Sequence, residues 1–119
     1  MDREHRVRRR SDYARAQREG RRLGHALLRI QWVANDLPMT RFGFVVGKRV
    51  AAKAHERNLV WRRLRELARQ LLPTLRDGVD VVVIAQPAAR GAAFAELGAA
   101  LRQVLDRARL IGCSEDAKS

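Results

Sequence analysis

The stretch VDVVVIAQP, residues 79–87, limits the fold more than any other in this chain. Its apolar, β-branched run lacks the alternation of a half-solvated strand. It reads as a strand buried throughout, ended by Pro87, which cannot donate to a ladder. The rest of the 119 residues must cover it, and a chain of that length hides roughly two thirds of its unfolded surface in one core. One domain over residues 1–119 is expected, with the basic arm 1–10 and the tail 111–119 expected to be flexible.

Two further segments alternate. ALLRIQWVAN puts Leu28, Ile30 and Trp32 on one face and Arg29, Gln31 and Val33 on the other. RFGFVVGKR sends Phe42, Phe44 and Val46 to the core and turns Arg41, Gly43, Val45 and Gly47 away. Two glycines on one strand face imply either a shallow surface that another chain approaches closely or a bulge. SDYARAQREG predicts a short helix, with Ser11 or Asp12 as its cap and Gly20 in the left-handed position after it. Residues 55–72 predict a second helix. A third carries Phe94, Leu97, Leu101, Val104, Leu105 and Ala108 at helical spacing. The predicted order is α-β-β-α-β-α, with room for an extra short strand near RRLGH.

Charge narrows the function. The chain carries a formal net charge of +12, which makes a polyanion the first partner to consider. Residues 1–22 hold nine Arg against four acids, and residues 48–69 hold eight Lys or Arg against two. Almost all of the excess is therefore concentrated in two windows. A single cysteine, Cys113, excludes an intrachain disulfide and a cysteine-based metal cluster, and fits a reducing cytosol. The sequence contains neither a signal-peptide pattern nor an 18-residue apolar span, so neither a membrane nor a stable protein partner is expected.

The second helix carries the charge. At about 100° per residue, Val60, Leu64, Leu67 and Leu71 share one side, while Asn58, Arg62, Arg65 and Arg69 share nearly the opposite one. A merely solvated face normally intersperses acids for i,i+4 pairing, and only Glu66 is placed to help here. Arginine suits phosphate because its planar fork gives two parallel N–H bonds. Arg57 and Asn58 lie at the helix start, where an anion is already favoured. His55 and Glu56 resemble an acid/base pair, but neighbours on a helix point about 100° apart and no third residue orients the imidazole. No catalytic or metal-ligating residue is expected; His5 and His25 have no ligand spacing.

The run GKRVAAKAHERNLVWRRLRE resembles the protein subunit of bacterial ribonuclease P. Lys48 and Arg49 match the family's basic pair after a strand, Arg57 and Asn58 its central motif, and Arg62, Arg65 and Glu66 its close. SDYARAQREGRR resembles the family's opening helix and DVVVIAQPAA its last strand, so the resemblance runs from about Arg6 to Leu110. Leu59 and Trp61 depart from it, standing where basic residues are usual, and Gln17 replaces a second aromatic.

The resemblance implies an α+β fold, a single-domain α/β sandwich with a mixed sheet and a left-handed βαβ crossover, like the second domain of ribosomal protein S5. It also implies that the catalytic centre lies in a partner RNA with Mg²⁺, while the protein helps hold precursor tRNA. Lys48, Arg49, Lys53, Arg57, Asn58, Arg62, Arg65 and Arg69 would then dock on the ribonuclease P RNA. Tyr13, Arg29, Gln31, Arg41, Gly43 and Val45 would line a cleft for the single-stranded 5′ leader, where stacking tolerates any base. The alternative reading of Tyr13 is a core residue. A structural RNA-binding protein without a part in cleavage is the alternative.

Overall fold

A computed structural model describes residues 5–112. In chain order it contains α1 (Arg10–Glu19), β1 (Arg21–Gly24), β2 (Leu28–Ala34), β3 (Arg41–Val45), α2 (Ala54–Leu71), β4 (Val79–Ala85) and α3 (Phe94–Arg107), with short 3-10 turns at Leu72–Thr74 and Pro87–Gly91. The extra strand near RRLGH is present as β1. β3 ends at Val45, so Lys48 and Arg49 belong to the turn after it.

The sheet order is β1-β2-β4-β3. β2 pairs antiparallel with β1 and β4, and β3 runs parallel to β4, so the sheet is mixed. β4 is central and buried along most of its length, as its apolar run requires. Residues 5–7 lie along the outer edge of β3, where the Val7 N–H donates to the Phe42 carbonyl at 2.8 Å and Arg6 bridges to Phe42. Of the arm and tail expected to be flexible, residues 1–4 and 113–119 lie outside the described residues.

Two layers cover the sheet. On one face Leu28, Ile30, Phe42, Phe44, Val81 and Val83 meet Val60, Leu64, Leu67 and Leu71 of α2 and Leu97, Leu101, Val104 and Leu105 of α3 in one core. Each such side chain contributes about 1.5–3 kcal/mol, whereas an exposed helical ion pair contributes a few tenths. Packing of the apolar stripe therefore holds α2 in place, and its opposite face is left free for charge.

The other face is covered by α1, which contacts β2 and β4. The periodicity of α1 is weak, and Ala16 is its one buried residue. It is held instead by polar contacts with the sheet. Asp80, 1% exposed on β4, accepts both arms of the Arg41 fork at 2.8 and 2.6 Å and the Asn35 amide at 2.9 Å. Arg41 also lies 3.6 Å from Asp12 of α1. The Asp80 bonds foremost hold the Arg41 guanidinium above its usual pKa, against the opposing effect of burial.

That use of Asp12 corrects the capping expectation. Neither Ser11 nor Asp12 caps α1; Arg9 precedes the helix without a side-chain cap, and the Asp12 carboxylate turns to Arg41. Gly20 is extended rather than left-handed, at φ −78°. Its glycine is required by close approach: a Cβ there would stand 2.3 Å from the Ala16 carbonyl oxygen and 2.7 Å from that of Trp32.

Arg41→Ala leaves the buried Asp80 without its cation and is expected to cost about 3–5 kcal/mol. Urea unfolding should show a lower midpoint at unchanged slope. A midpoint shift equivalent to under about 1 kcal/mol, the range of an exposed pair, would show that the pair is solvated.

Candidate nucleic-acid interface

The turn after β3 and the outward side of α2 carry the charge. Lys48, Arg49 and Lys53 are exposed, and Lys53 immediately precedes α2. Arg57 donates through Nη1 to the carbonyls of Ala51 and Ala52 at 3.0 and 2.7 Å. It thereby fixes the loop that presents the lysines. Asn58 and Arg62 are exposed, and Arg65 is half-buried with its guanidinium 5.4 Å from the centre of the Trp61 ring.

Arg69 differs from the other seven. It pairs with Glu66 through two bonds of 3.0 and 2.6 Å. Those bonds, helped by Gln70, hold the Glu66 carboxyl down at about 2. Arg69 is therefore already neutralised within the helix. Glu56, the other acid of α2, bonds Arg90 at 3.1 Å. It is drawn toward the Pro87–Gly91 turn while His55 stays exposed, so no acid/base pair converges. Arg63 bonds the Ala92 carbonyl at 3.3 Å and serves the α2–α3 contact.

The residues expected to line a cleft on the α1 side do not all form an open surface. Tyr13 lies directly on Gly43, where a Cβ would come within 2.7 Å of its hydroxyl oxygen. The close approach that the glycine permits is therefore made by this chain's own ring, and Gly43 is buried. Gln31 is 7% exposed, and Arg41 is engaged by Asp80 and Asp12. Arg29 and Val45 remain exposed. They line a groove of about 230 Å³ with Gly47, Arg49, Ile84 and Gln86. Ile84 pairs in register with Arg29 on one side and Val45 on the other. Ile84 had no signal of its own in an apolar run; only the register reveals it.

Tyr13 is in part a packing residue. Its ring is half-buried, its hydroxyl donates to the Val7 carbonyl at 3.3 Å, and burial pushes its pKa above the ordinary 10.0. Among the described residues no group of three or more His, Cys, Asp or Glu side chains is placed to hold a metal ion, and no helix is long and apolar enough to cross a membrane.

The family profile described as ribonuclease P matches residues 1–109. The chain is 37% identical over 120 residues to the ribonuclease P protein component of Roseiflexus sp. (strain RS-1), covering 100% of this chain and 98% of that one. It is 44% identical over 113 residues to the component of Streptomyces avermitilis, covering 87% and 91%. The fold matches the RNase P protein of Staphylococcus aureus with a TM-score of 0.83 at 22% identity, over 91% and 98% of the two chains. It matches that of Thermotoga maritima with a TM-score of 0.78 at 27% identity, over 86% and 96%.

Tyr13 is the only tyrosine in the chain, so tyrosinate absorbance reports on it alone. Its midpoint in the folded protein is expected above 10.0. A raised pKa means that the folded state holds the proton more tightly. The associated stability is present below the unfolded value and is lost as pH rises through the folded one. Gly43→Ala should displace the ring and return the midpoint toward 10.0; a native midpoint at or below that value would mean the ring is not seated on Gly43.

Proposed function

The chain belongs to the bacterial ribonuclease P protein family, and on that premise we propose that it is the protein subunit of ribonuclease P. It binds the catalytic RNA and the 5′ leader of precursor tRNA, and assists endonucleolytic removal of that leader. The observation that carries this reading is the uncompensated charge beside and along α2. Lys48, Arg49, Lys53, Arg62 and Arg65 have no carboxylate partner among the described residues, while Glu56 and Glu66 are each taken by another arginine.

This surface docks on the RNA. Its cations lower the repulsion between two polyanions, and the arginine forks grip phosphate oxygens in pairs. Asn58 adds an amide that both donates and accepts. Arg57 acts mainly by holding the loop, and Arg69 contributes least because Glu66 already occupies it. The leader lies on the other side of the sheet, along Arg29, Val45, Ile84 and the edge of Tyr13. Gln31, Gly43 and Arg41 support that surface from beneath. Arg49 lies in the turn between the two sides and lines the leader groove.

The phosphodiester bond between leader and mature tRNA is hydrolysed by the RNA. Mg²⁺, when bound, would supply charge stabilisation at the reacting phosphate. The resemblance of the sequence assigns it to RNA and substrate phosphates. This chain positions the strands and takes no proton at the scissile bond. We also read the β3–α2–β4 crossover as left-handed, the fold as akin to the second domain of ribosomal protein S5, and the cytosol as the compartment. The first two readings rest on the resemblance of the sequence, and the third on the single cysteine, Cys113.

Affinity for ribonuclease P RNA should fall steeply with salt. Arg62→Ala and Arg65→Ala are each expected to reduce the log–log slope by about 0.7–0.9 if each arginine neutralises one phosphate. Arg69→Ala should reduce it less, because Glu66 is freed at the same time. A wild-type slope near zero would remove the electrostatic basis of the proposal.

A further inference from the structure

On the α2 side of β3 a groove of about 420 Å³ opens between the end of the strand and the first turns of the helix. Phe44, Val46, Ala54 and Trp61 form its apolar wall, and Arg57 and Asn58 its polar rim. That volume lies toward the small end of ligand sites, which span roughly 300–1,000 Å³.

The wall is shaped for a flat ring. Phe44 and Trp61 stand 6.1 Å apart with their planes at 80°. A heterocycle laid on the half-buried Trp61 ring turns its edge toward Phe44, and both stacked and edge-to-face contacts are favourable. The surroundings are cationic. Arg6, brought in by the segment beside β3, and Arg65 place guanidinium groups 5.8 and 5.4 Å from the centre of Trp61. Neither has a carboxylate partner among the described residues, and both acids of α2 are engaged by Arg90 and Arg69. Asn58 is exposed and makes no side-chain bond within the described protein. Its amide has the donor and acceptor that a base edge requires.

We propose that this groove receives one unpaired nucleobase of the catalytic RNA, with the adjoining phosphate held by the guanidinium groups around Trp61. The proposal rests on the reading that α2 docks on that RNA. The RNA subunit is the source because the groove lies on the α2 side of β3, whereas Arg29, Val45 and Ile84 face the α1 side. An acidic peptide would satisfy the arginines but leave the aromatic corner and Asn58 unused.

The test uses the full chain. Trp32→Phe leaves Trp61 as the only tryptophan, and its emission is followed against adenosine 5′-monophosphate and ribose 5-phosphate. Saturable quenching by the nucleotide and none by the sugar phosphate is the expected result; equal responses, or none, overturn the base site. In parallel, Ala54→Phe fills the groove from an exposed position at the helix start. It should weaken ribonuclease P RNA binding by about 5- to 150-fold, the loss of one base stack. If urea unfolding shows that variant to be destabilised, Asn58→Ala takes its place, with weakened binding expected. Full affinity in the groove variant with loss in Arg62→Ala sinks the groove and spares the docking reading. Full affinity in both removes docking and groove together.

Discussion

A single buried carboxylate organises this protein. Asp80 sits in the central strand at 1% exposure, where an ion without partners would cost several kcal/mol. Arg41 on the neighbouring strand and Asn35 beyond β2 satisfy it. Arg41 in turn reaches Asp12 and ties α1 to the sheet. This matters because α1 buries little apolar surface of its own. Its position decides how much of that sheet face stays open, and hence leaves Arg29 and Val45 exposed with Ile84 half-buried between them.

The opposite layer follows a different logic. Five aliphatic side chains, Ala68 among them, bury α2 against β3 and α3, and that packing is strong enough to hold a helix whose outer side is a row of like charges. Repulsion among those charges would normally be relieved by interspersed acids. Here the two acids are diverted to Arg90 and Arg69, so the remaining cations stay available to an external polyanion. The fold thus leaves two different surfaces on its two faces, a groove lined by Arg29, Val45 and Arg49 and the cationic side of α2 that follows β3.

What could be read from the sequence was what depends on local periodicity. The run at 79–87 stands out by its unbroken apolar character and forms a strand buried along most of its length, while the stripe of Val60, Leu64, Leu67 and Leu71 and the facing row of Asn58, Arg62, Arg65 and Arg69 recur at helical spacing and lie on opposite sides of α2. Interactions between distant segments were not legible. An acid inside an apolar run was a visible signal, but the partner of Asp80 lies 39 residues away and could be found only through strand register. Gly20 and Gly43 both stand out in the sequence, yet the reason at each is close approach and not a backbone angle: the carbonyls of Ala16 in the preceding helix and Trp32 in β2 at Gly20, and the Tyr13 ring at Gly43. The choice of Asp12 between capping its helix and bridging to Arg41 likewise depended on where the sheet lay. Trp61, which departs from the family's pattern, packs against Phe44 and beside two arginines, neighbours that only the fold brings to it.

The central claim is that this chain holds RNA and leaves the chemistry to it. The most direct measurement is cleavage of a labelled precursor tRNA at low Mg²⁺ by a bacterial ribonuclease P RNA with the protein, by the RNA without it, and by the protein alone. The account predicts a correctly sized 5′ leader only when RNA and protein are both present. Leader release by the protein alone, or none beyond the RNA's own in the mixture, would contradict it.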